Sequence, residues 1–116
     1  MTIEEIRTFC LKFPGATEDI KWGHDLCFCV AEKMFCVTGL DQQPVSLSLK
    51  VTEDEFDELA AQPNFKPAPY MARNKWVLIE DVSKVKEKEL KRLIEQSYGL
   101  VVSKLPKKVQ EGLKRK

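Results

Sequence analysis

The chain has 116 residues, 43% hydrophobic and 32% charged, with a net charge of +1. That length suits one domain, spanning 1–116, able to bury a core without metals or disulfides, and no apolar run is long enough to cross a bilayer. The opening Met-Thr-Ile-Glu-Glu-Ile-Arg is acidic and amphipathic, which reads as neither a signal nor a transit peptide, so a cytoplasmic protein is expected.

Thr2-Ile3-Glu4-Glu5 has the pattern of a capping box, in which the Thr2 hydroxyl accepts from the Glu5 N–H while the Glu5 carboxylate reaches back. The helix it opens carries Ile3, Ile6, Phe9 or Cys10, and Phe13 at helical spacing, and Pro14-Gly15 ends it. Between residues 17 and 49 the apolar period shortens to that of strands, predicting an antiparallel meander at 19–22, 26–30, 34–38 and 45–49. A two-residue turn at Ala31-Glu32 would set Phe28 opposite Phe35 and Cys27 opposite Cys36.

Thr52-Glu53-Asp54-Glu55 repeats the capping pattern, and Phe56, Leu59 and Ala60 supply the buried edge of a short helix that Gln62-Pro63 stops. Pro67 and Pro69 then fix φ and remove donors, so Tyr70 is expected on an extended, non-helical arm. A fifth strand follows at 76–79. Ser83 is the expected cap of a long helix with Leu90, Leu93, Ile94 and Val101 on its inner side, and Gly99 is expected to admit a close neighbour from the sheet. Pro106 breaks that helix and starts a last turn, leaving Lys114-Arg115-Lys116 as a frayed end.

The local strings Phe13-Pro14-Gly15-Ala16-Thr17-Glu18-Asp19, Lys33-Met34-Phe35, Leu49-Lys50, Pro69-Tyr70-Met71, Lys75-Trp76, Ser97-Tyr98 and the run from Leu100 to Lys108 extend nearly end to end. In them, and in the order of elements, the chain resembles the MmcQ/YjbR family of small bacterial proteins, whose fold is similar to that of CyaY and frataxin. The resemblance implies an α+β, CyaY-like fold: a twisted antiparallel sheet of about five strands, with the N-terminal and the long C-terminal helix packed on one face. It also implies DNA binding through a double-wing arrangement. The hairpin differs in carrying Ala31-Glu32 where glycines are common in the family.

Charge supports the same direction. Residues 1–64 hold five Lys/Arg against twelve Asp/Glu, whereas residues 65–116 hold fourteen against six, so a fold that gathers the later cations presents a basic face to phosphate. The expected contact group is Lys33, Lys50, Arg73, Lys75 and Lys104, with Trp76 or Tyr70 as a stacking ring; solvated lysines and a core Trp76 are the plainer alternative. No recognition helix stands out, so non-specific backbone contact by a monomer is the expected mode.

Other chemistry finds less support. Cys10, Cys27, Cys29 and Cys36 lack paired Cys-x-x-Cys knuckles and read as small hydrophobes, and Asp54, Glu55, Asp57 and Glu58 read as the wet face of the second helix, so neither metal nor other cofactor is expected. His24 beside Asp25 is a lone turn histidine, and neither a phosphate-cradling glycine loop nor a nucleophile elbow is present, so the chain is not expected to be an enzyme. The rival reading is a protein-interaction or small-ligand module at the open sheet face near Tyr70 and Trp76, without a nucleic-acid role.

Overall fold

A computed structural model of the chain describes residues 1–114. Arg115 and Lys116, which carry most of the expected frayed end, lie outside the described residues. Thr2 caps α1 (Ile3–Leu11): its hydroxyl accepts from the Glu5 N–H at 3.1 Å, and the Glu5 carboxylate takes the Thr2 N–H at 3.0 Å. These are the two bonds the capping pattern predicts. The Thr2 N–H, and after it the Thr2 hydroxyl, hold the Glu5 carboxyl below its usual range.

Six antiparallel strands follow: β1 (Ala16–Lys21), β2 (Asp25–Val30), β3 (Lys33–Gly39), β4 (Leu47–Lys50), β5 (Phe65–Pro67) and β6 (Trp76–Ile79), in the sheet order β1-β2-β3-β4-β6-β5. The sixth strand is β5, which the sequence hides because three residues ending in proline show no alternation. Its pairing with β6 defines it. Between them the chain does not stay extended: Tyr70 sits in a turn at φ 65, and Ala72–Asn74 form a short 3-10 turn.

The β2–β3 connection is the expected two-residue turn, with Ala31 at φ 49 and Glu32 at φ 67 despite the absence of glycine. The expected register holds at Cys29↔Met34 and then slips. Phe35 is the extra residue of a bulge, so Phe28 pairs with Cys36 and Cys27 with Val37. The bulge turns Phe35 and Cys36 together into the core and leaves Cys27, which alternates with Leu26 and Phe28, on the other face.

The core lies between the sheet and the helices α1 and α3 (Glu87–Val102). Ile6 and Cys10 from α1 and Leu90, Leu93, Ile94 and Val101 from α3 meet Phe28, Val30, Leu47, Leu49, Val77 and Ile79 of the sheet. Phe13 is stacked on Tyr98 with ring centroids 4.7 Å apart, and the Tyr98 hydroxyl donates to the Pro14 carbonyl at 2.5 Å, so the end of α1 is pinned to α3. Gly15, at φ +72, accepts Leu113 of α4 (Lys107–Lys114) where a Cβ would overlap it. Near β5 and β6, α2 (Glu53–Ala60) is tied to α3 by Glu55, which receives Arg92 at 3.1 Å and Gln96 at 2.6 Å.

Two expectations about α3 are corrected. Lys86, not Ser83, is its N-cap; Ser83 is held instead in a preceding turn, where the Asp81 carboxylate accepts from both its N–H and its hydroxyl. Gly99 has no neighbour within 4 Å of where a Cβ would stand and faces solvent. Its cost in backbone entropy is therefore not offset by packing, and Gly99→Ala is expected to raise stability by about 1 kcal/mol, read as a shifted urea midpoint.

Candidate nucleic-acid interface

β3 and β4 pair only at Cys36↔Leu49 and Val37↔Ser48. Beyond them the strands part, and the hydroxyl of Ser97, wholly buried on α3, fills the fork: it donates to the Phe35 carbonyl at 2.5 Å and accepts from the Lys50 N–H at 2.9 Å. One hydroxyl thereby satisfies two strand groups that the parting of β3 and β4 leaves without a ladder partner.

The diverging strand ends and the C-terminal end of α3 enclose an open cleft of about 300 Å³. Lys33 at the start of β3, Lys50 at the end of β4 and Lys104 just past α3 line it. Met34, Met71, Trp76, Val101 and Leu105 give it an apolar floor, Asn74 completes the lining, and no carboxylate contributes. Lys50 Nζ donates to the Asn74 carbonyl at 2.8 Å, joining the strand end to the 3-10 turn. Partial burial, and secondarily the nearby Lys104 charge, push the Lys50 ammonium below the usual lysine range. An anion seated between them would relieve that repulsion.

The structure thus brings together Lys33, Lys50, Lys104 and Trp76 of the expected group. Trp76 is only 5% exposed, so it serves as part of the floor and is not a free ring. Arg73 is exposed on the turn that also supplies Met71 and Asn74. Lys75 departs: its ammonium lies over the Phe56 ring, 4.9 Å from the centroid, toward α2. Tyr70 does not line the cleft and stands fully exposed beside it in sequence. Among the described residues, salt bridges engage Arg7, Lys66, Lys91 and Arg92 but none of the five candidate cations.

Met34, Met71, Asn74, Val101 and Leu105 were not foreseen as lining. The only signal for Met34, Met71, Asn74 and Leu105 was adjacency to Lys33, Tyr70, Arg73 and Lys104, and Val101 had none, because ordinary core residues look the same in sequence.

The remaining candidates are dispersed. All four cysteines are free and buried; burial pushes the Cys27 thiol up to about 11, which keeps it protonated and inert at neutral pH. Among the described residues no three His, Cys, Asp or Glu side chains gather as a metal site, and no helix is long and apolar enough to cross a membrane. His24 pairs loosely with Asp25 at 3.8 Å on the exposed β1–β2 turn.

Fold and cleft together define a small α+β protein whose open antiparallel sheet, backed by helices, ends in a lysine-rimmed hollow. The chain matches the family model described as YjbR over residues 11–100, and it belongs to that family. Its fold is similar to the crystal structure of the Deinococcus radiodurans protein DR2400, which carries domain DUF419: TM-score 0.88 and 28% identity, over 97% of this chain and 87% of that one. A Pseudomonas syringae protein shares the fold at TM-score 0.70 and 20% identity, over 86% of this chain and 98% of that one. No curated protein sequence matches.

Proposed function

We propose that the chain is a non-enzymatic DNA-binding protein that contacts mainly the phosphate backbone, through the cleft rim and the adjoining turn. The supporting observation is the convergence of Lys33, Lys50 and Lys104, none held in an ion pair, around a hollow without a carboxylate. Lysines so placed neutralise phosphates and release condensed counterions, giving affinity that is weak, sequence-tolerant and steeply salt-dependent. In this reading the protein acts as a cytoplasmic monomer.

Fluorescence anisotropy of labelled DNA across a salt series tests the proposal: binding that weakens linearly in log–log form is expected, and no binding at low salt overturns it. Glu32 is exposed at the hairpin tip next to Lys33 and repels phosphate there. Glu32→Lys is therefore expected to tighten binding several-fold, on the order of one more neutralised phosphate.

The apolar floor favours one competing reading, a small anion with an apolar body. It predicts that phenyl phosphate raises the thermal midpoint while DNA leaves it unchanged.

A further inference from the structure

The rim explains attraction to phosphate but leaves the floor without a task. In duplex DNA the bases are paired and stacked inward, so a backbone lying across Lys33, Lys50 and Lys104 would bury none of Met34, Met71 or Trp76. A single strand differs, because its bases can leave the stack and present flat apolar faces. Resting on the nucleic-acid reading above, we propose that the cleft takes one unstacked base of a single-stranded nucleic acid, with the flanking phosphates on the three lysines.

Four observations converge on that occupant. At about 300 Å³ the hollow lies at the small end of ligand pockets, a scale suited to a single nucleotide and far too narrow for a double helix. Its floor is made chiefly by two methionines, whose polarizable thioethers adapt to planar surfaces, beside the small exposed edge of the Trp76 indole. The cations stand around that floor with no carboxylate between them, so the charge is complementary to a strand that carries phosphates on either side of the base. Tyr70, fully exposed one residue before Met71, offers a second ring for the neighbouring base. Its left-handed φ of 65 sets it in a turn directly before Met71 in sequence, and not along an extended arm.

The test uses the full chain and three fluorescein-labelled probes of about 12 nucleotides, within the range of single-strand site sizes. They are a mixed-sequence single strand, its duplex, and the same strand with abasic sites. The intact strand is expected to bind roughly tenfold tighter than the duplex or the abasic strand, as one stacked base is worth about 1–3 kcal/mol. In a Trp22→Phe variant, which leaves Trp76 as the reporter, emission should be quenched by the intact strand and not by the abasic one. Tyr70→Ala should lose part of the single-strand preference.

Equal affinity for strand and duplex, or for intact and abasic strands, overturns base insertion while the phosphate-binding reading stands. No binding to any probe overturns both. A free mononucleotide that binds as tightly as the strand overturns the assignment in favour of a small-ligand site.

Discussion

Reversing Lys33, Lys50 and Lys104 to glutamate is expected to abolish DNA binding at physiological salt. Each single reversal should cost roughly tenfold at low salt, and the log–log slope should become shallower by about 0.9 for each phosphate left unneutralised on duplex, or about 0.7 on a single strand. The same change at Lys88, an exposed lysine of α3 outside the cleft, serves as control and should move neither quantity much. Anisotropy titrations at several salt concentrations measure both. Uniform small losses at all four positions would show a diffuse positive field and no site.

The pH dependence has a definite sign. In the proposed binding mode Lys50 contacts phosphate only while protonated, and its pKa is pushed below the ordinary lysine range, chiefly by burial and then by Lys104. Affinity should therefore begin to fall on the alkaline side at a lower pH than an ordinary lysine would dictate. Lys50→Arg should remove that early loss, since a guanidinium stays charged.

Ser97→Ala is expected to be among the most destabilising single-atom deletions in the chain. It strips the partner from both the Phe35 carbonyl and the Lys50 N–H, at a fork sealed by wholly buried Ser97 and Phe35. Leaving buried polar groups unpaired costs about 1–3 kcal/mol. At roughly 4 °C per kcal/mol for a chain of this size, the thermal midpoint should drop by about 4–12 °C, read by circular dichroism. Because the same hydroxyl ties the Lys50 backbone to Phe35, two residues from Lys33, DNA affinity should fall too, even well below the midpoint. An unchanged midpoint would mean that β3 and β4 can close on each other without the peg.

Ser97 also shows why a family-like string need not mark a binding residue. Phe13-Pro14-Gly15 and Ser97-Tyr98 carry much of the resemblance, yet they build the frame: Phe13 stacks on Tyr98, Pro14 accepts its hydroxyl, and Ser97 bridges the fork. Lys33, Met34, Lys50, Trp76, Lys104 and Leu105, drawn from the other strings, supply most of the cleft lining. Sequence alone does not sort the two sets, because both mix polar and apolar residues at short range.

Short-range physics was legible in the chain. Thr2 and Glu5 close a capping box through neighbours three residues apart, Pro14-Gly15 and Gln62-Pro63 stop helices, and the two-residue turn at Ala31-Glu32 follows from alternation on both sides. The departures arose where a second local interaction competed or a distant one decided. Asp81 captured Ser83 before it could cap α3, and β5 exists only through its ladder to β6. The bulge at Phe35 chose between two apolar neighbours that both suit a core.

The site belongs wholly to the second category. Residue types and helix or strand periods determined which segments form and which carry cations, since those depend on neighbours a few positions away. Only the tertiary structure decided that Lys33, Lys50 and Lys104 share one hollow, that Lys75 turns to Phe56, and that Trp76 is floor while Tyr70 is free. The reason is that the fork is held by a hydrogen bond between residues 62 apart in the chain, a distance over which composition and periodicity carry no information about who meets whom.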